Sequence, residues 1–195
     1  MGVTTQTSQN GWPASPTGSA IGIVTLALPL TKGTKTVQVT SRAADVFTEI
    51  IQWWDRNVEP VETLGGYDYR EIRGYEGSGT ISNHGSGTAI DINASKHLLG
   101  ATGTVPTATA AMITAKAASL GLKWGGDYRG RKDDMHFEVV FSPTVEAVRK
   151  AATNYWWVGL ISVAAVAGAV LYRRRAATGV ALKLPSWGGL FRRTR

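Results

Sequence analysis

Between residues 41 and 58 the apolar side chains Val46, Phe47, Ile50, Ile51 and Trp54 recur at the spacing of one helix face, and Ser41 stands where an N-cap would. A second helix is expected to open at Pro106-Thr107, run through Met112, Ile113 and Leu120, and close at Gly121, a residue suited to the left-handed C-terminal cap. Ser142-Pro143 is expected to start a third through Val145 and Val148, since Pro fits the first helical turn. Between them, short runs rich in β-formers predict strands around 66–73, 88–93, 123–124 and 135–141. The run 20–30 has the length of a strand or a buried loop, and 2–18 reads as a polar arm wrapped on the surface around Trp12. Helices set apart from a small antiparallel sheet give an α+β fold. There is no internal repeat.

Two segments carry the chemistry. Ser82-Asn-His84-Gly-Ser-Gly-Thr-Ala-Ile-Asp91 holds an imidazole and a carboxylate on a turn followed by a strand, and Asp133-Asp-Met-His136-Phe-Glu138 leads into another strand. Either alone is common, because a lone His on a strand is usually a hydrogen-bonded structural residue. Together they supply two imidazoles and a carboxylate, a set that can hold one zinc ion and leave a fourth position free. With no Cys in the chain, thiolate sites are excluded. His84, Asp91 and His136 are therefore the candidate ligands. The alternation of 135–141 puts His136 and Glu138 on one side and Met135, Phe137 and Val139 on the other. Glu138 is placed to orient His136 or a substrate amine. Asp133, in the turn before the strand, is the candidate general base, with Asp134 expected to face away. His97 lies outside both segments and is expected at the rim of the site.

The motifs Ser82-x-His84-x-x-Gly87-x-Ala89-x-Asp91, Trp124-Gly-Gly-Asp127 and Asp133-x-x-His136-Phe-Glu138 resemble those of the zinc D-alanyl-D-alanine carboxypeptidases and L-alanyl-D-glutamate endopeptidases, a group that includes VanY-like peptidases and phage endolysins. The likeness runs from about Ser8 to Phe141. It implies one zinc on His84, Asp91 and His136, an acid/base at Asp133, and a catalytic Arg upstream of the first His, for which Arg70 in Tyr69-Arg70 is the match and Arg73 the reserve. It places Ser82 and the Trp124 turn beside the cleft, where they would support a ligand or touch substrate. The implied activity is hydrolysis of peptidoglycan stem peptides, at the L-Ala-D-Glu or the D-Ala-D-Ala bond. A non-catalytic wall-binding or virion protein that keeps the fold is the alternative.

Charge changes the picture at one end only. The net +7 comes from 173–195, which holds seven Lys/Arg and no acid, so the rest of the chain is formally neutral and nucleic acid is not the expected partner. Before that tail, residues 155–172 run uncharged from Tyr155 to Tyr172, about 27 Å as a helix at ~1.5 Å per residue. That length is near the minimum for a transmembrane helix, and Trp156, Trp157 and Tyr172 sit where interfacial aromatics do. A buried or interfacial helix is the other reading. Domains are thus expected as an arm and first strand region at 1–40, a zinc peptidase core at 41–152, a membrane segment at 153–172 and a basic tail at 173–195. The protein is expected to be membrane-associated and to act on the cell wall, although the first basic residue is Lys32 and no charged export signal precedes it.

Overall fold

The computed structural model describes residues 5–143, within a unit that spans Met1–Glu146; a second unit spans Ala147–Arg195. The expected third helix beyond Pro143, the membrane segment and the basic tail lie outside the described residues. Among the described residues no helix is long and apolar enough to cross a membrane.

Helix α1 (Ala44–Asn57) buries the five apolar residues that its periodicity singles out. Ser41 does not cap it. Residues Ser41–Ala43 form a 3₁₀ turn in which the Ser41 N–H donates to the Gly22 carbonyl, and the N-cap, Ala43, has no polar side chain to offer. Helix α2 (Thr107–Ser119) buries Ile113 and Ala117, while Met112 is 51% exposed. Gly121 follows it with a positive φ of 68°.

The strands form three antiparallel pieces. Strands β1 (Gln6–Thr7) and β2 (Pro13–Ala14) fold the arm on itself, and β3 (Ile23–Leu30) pairs with β4 (Gly33–Thr40) as a hairpin. The central sheet runs β5 (Leu64–Gly65), β6 (Ala89–Ile92), β8 (His136–Val139), β7 (Leu122–Trp124) in spatial order, each neighbour antiparallel. Among the described residues the result is a mixed α/β fold with small antiparallel sheets and two helices. Phe137 packs edge-on against Trp54 at 5.7 Å between ring centroids, so the inner face of the sheet and α1 share one core.

Three expectations change. No strand forms over 66–73, where Glu71 makes only an isolated bridge; β5 stops just before it at Gly65, and the chain then bonds elsewhere, with Tyr67 N–H on the Gln38 carbonyl and Asp68 N–H on the His84 carbonyl. The strand expected at 135–141 is only four residues, because Phe141 leaves the ladder to meet Trp12 at 6.0 Å. The arm, finally, is not a surface wrap. Ser8, Trp12, Ala14 and Ser15 are buried, and the Trp12 indole N–H donates to the Phe141 carbonyl at 2.7 Å. A buried indole needs such a partner, and the end of β8 provides it.

Candidate metal centre

His84 sits on a 3₁₀ turn, Asn83–Ser86, opened by Ser82, whose hydroxyl accepts the His84 backbone N–H. Gly87 ends the turn at a φ of +66°, and a Cβ there would lie 2.7 Å from the Thr40 nitrogen. Only glycine fits. The Thr40 N–H donates to the Gly87 carbonyl, so the hairpin fixes the height of the turn. On the ring, Nδ1 is 2.7 Å from the Gly66 carbonyl. A carbonyl accepts only, so Nδ1 carries the hydrogen and Nε2 faces Asp91 Oδ1 at 3.4 Å.

Asp91 and His136 are brought together by register. In the β6–β8 ladder Asp91 lies opposite His136 and Ala89 opposite Glu138, while Ile90 faces Phe137 across the same pair and turns to the core. His136 Nδ1 stands 2.9 Å from Asp91 Oδ1, and ligand atoms of His84, Asp91 and His136 all lie within 4.8 Å of one another. Burial alone would raise the Asp91 carboxyl; hydrogen bonds and charge from the two imidazoles more than offset it and hold the group far below the usual range. Burial would likewise lower His136, yet Asp91 and Glu138 push it up to about 10. The pocket favours positive charge between these groups, and its donors, two imidazole nitrogens and a carboxylate oxygen, fit zinc.

Glu138 Oε2 lies 3.6 Å from His136 Nε2, on the side of the ring away from Asp91. Asp133 lines the same cavity, and its Oδ1 is buried without a hydrogen-bond partner. Burial, with a smaller push from Asp91, raises this carboxyl to about 6 against the lowering influence of His136. Its backbone is held by Gly125, where a Cβ would fall 2.4 Å from the Asp133 carbonyl oxygen. The Trp124-Gly-Gly-Asp127 turn therefore serves Asp133. Asp134 turns the other way: its carboxylate accepts the Thr104 hydroxyl at 2.5 Å, and its carbonyl accepts the buried Trp124 indole N–H at 2.7 Å.

The cavity encloses about 640 Å³. It brings His84, Asp91, His136, Asp133, Glu138 and Ser82 together with Arg70 and Arg73, but not with Trp124 or His97. Arg70 is oriented by Asp68 at 2.8 Å and by the Glu71 carbonyl. His97, expected at the rim, is buried instead in a polar cluster with Thr104 and Glu59, edge-on to Trp54. Its burial follows from α1 and the 93–105 loop packing over it, which no local pattern announces. Sequence reasoning missed Asn83, Tyr128, Lys123, Arg129 and Arg131. The last three make five cavity-lining cations with Arg70 and Arg73, although residues 5–143 carry only twelve Lys/Arg against thirteen Asp/Glu. A run of Arg and Lys at 129–132 was the available signal.

Among the described residues, fold and site thus define a mixed α/β unit with a His-Asp-His cluster that could hold a metal ion, beside a buried carboxyl. Residues 76–139, which include all three candidate ligands and Asp133, match the family model described as D-alanyl-D-alanine carboxypeptidase of the M15 peptidases. The match supports a peptidase of that family and spans about a third of the chain. No curated protein and no solved structure is a match.

Proposed function

We propose that the protein is a zinc-dependent peptidase that hydrolyses peptidoglycan stem peptides, as a phage endolysin or a membrane-tethered wall hydrolase. The observation that carries this reading is the meeting of His84, Asp91 and His136 in one pocket with the unpartnered Asp133 carboxylate oxygen. Zinc held by the three ligands would supply the Lewis acidity that amide hydrolysis needs at neutral pH. Asp133, raised towards neutrality, takes the proton of the attacking water and returns it to the leaving amine. Arg70 faces the substrate carboxylate or the developing oxyanion, where a fixed cation in a desolvated cavity is most effective. The five cations of the lining suit an acidic peptide, and stem peptides carry carboxylates.

The membrane is the second proposed partner, through residues 155–172 and the basic tail, with the peptidase unit acting on the wall. Digestion of purified peptidoglycan by zinc-loaded protein, followed by mass analysis of the released peptides, tests the reading. New amino termini at D-Glu indicate the endopeptidase, and loss of terminal D-Ala indicates the carboxypeptidase. Wall binding without any released peptide would overturn the enzyme reading.

A further inference from the structure

A continuous hydrogen-bond chain joins the arm to the site strand. The Asn10 backbone N–H donates to Asn83 Oδ1 at 2.9 Å, a direction that cannot reverse because a backbone nitrogen only donates. The Asn83 amide is thereby oriented, and its Nδ2 donates to Glu138 Oε2 at 2.5 Å. Asn10 is itself held, through its own amide, by Thr88 Oγ1 at 2.9 Å and the Val139 carbonyl at 3.1 Å. The Tyr128 hydroxyl is a second partner of Glu138. Asn83 Nδ2 only donates, so Glu138 Oε2 is the acceptor of the bond between them.

The β6–β8 ladder already fixes the backbone at Glu138, so the Asn83 bond is not needed to hold the strand. Its effect falls on the carboxylate. We propose that Asn83, oriented by Asn10 and assisted by Tyr128, is a positioning residue that aims Glu138 at His136 Nε2, so that the ring keeps its hydrogen there and presents Nδ1 beside Asp91 to a metal ion. Partners of ligating imidazoles commonly govern affinity in this way, since they fix both tautomer and ring orientation. The inference rests on His84, Asp91 and His136 being metal ligands.

The test is zinc affinity of the full chain, measured by competition with a chromophoric chelator, with the melting temperature of each metal-free variant recorded beside it. N83D sets a carboxylate against Glu138 while keeping the acceptor for Asn10, and zinc affinity should fall about ten- to a hundredfold. E138Q should weaken it as well. The double variant N83D/E138Q has the same net charge as the wild type, and because Glu138 Oε2 is the atom that meets both Asn83 Nδ2 and His136 Nε2, a change at position 83 has no carboxylate left to act through. It should bind zinc within about threefold of E138Q alone, the non-additivity expected when Asn83 acts only through Glu138. A folded N83D with wild-type zinc affinity, or a double variant about tenfold or more weaker than E138Q, overturns the proposal. Should N83D alone fail to fold, the comparison of E138Q with the double variant decides. Wild-type protein that takes up no zinc overturns the metal-site reading itself, a failure distinguishable from that of the relay.

Discussion

Asp133 and Asp134 are neighbours in sequence with opposite surroundings. One carboxylate lines the cavity with an unpartnered oxygen; the other is spent on Thr104. Asp133→Asn should therefore keep its fold and its zinc while losing about a hundredfold or more in turnover, the usual scale for a general base. Asp134→Asn should instead lower stability and leave a folded enzyme active. Metal analysis, melting temperature and kcat on a peptidoglycan peptide separate the two, and an inactive Asp134→Asn beside an active Asp133→Asn would move the base by one residue. His136 supports a pH prediction for the metal-free protein. Its folded value of about 10 lies above the ordinary 6.5, so the ion pair with Asp91 stabilises fully below about pH 6.5 and its contribution is lost as pH rises through about 10. Melting temperatures in chelator should fall between pH 7 and 10, and fall less in His136→Gln. Zinc must displace the same proton, so its affinity should rise over that range.

At the scale of elements, the arm is the piece whose role differs most from its appearance. Gly, Pro and polar residues at 2–18 read as a surface segment, yet Trp12 is 2% exposed and is fastened to Phe141 by a hydrogen bond and an edge-to-face contact. Trp12→Ala should cost about 3–5 kcal/mol, as for other large aromatics removed from a core, and should loosen the end of β8. Urea denaturation measures it; a loss under about 1 kcal/mol would return the arm to the surface. The buried face of helix α1 was legible, though not its start, because burial on one face imposes its own period. Strand β4 was not legible: of its eight residues only Val37 and Val39 are apolar, and pairing with β3 makes it a strand.

Over the whole molecule, charge is distributed in two places. Residues 5–143 are nearly balanced but gather five cations around one cavity, and 173–195 holds seven with no acid. The full chain should partition into membranes and resist high-salt washes, whereas a chain ending at Ala152 should be soluble and still bind about one zinc. Attraction of the tail to anionic lipid alone would be screened by salt. Fractionation in salt and in detergent checks this, and release of the full chain by salt alone would remove the membrane span from the proposal. In the shortened chain His84→Ala, Asp91→Ala and His136→Ala should each lower zinc content, because a three-ligand site loses much of its affinity with any one of them.

The sequence by itself determined the residue types that could ligate a metal, since three His and no Cys leave few sets, and the alternation that puts His136 and Glu138 on one side of a strand. It also determined helices whose faces repeat every three to four residues. Only tertiary structure decided that Asp91 lies opposite His136, because register between β6 and β8 depends on pairing across 45 residues of chain. The same holds for His97 and Asn83. His97 was drawn into the core by a loop folding over α1, and Asn83 acquired its partners from the arm and from β8. Local pattern reports how a segment can bury its own apolar side. Which polar groups then meet is set by long-range packing, where an unpaired buried donor costs about 1–3 kcal/mol and so dictates the arrangement that leaves few of them.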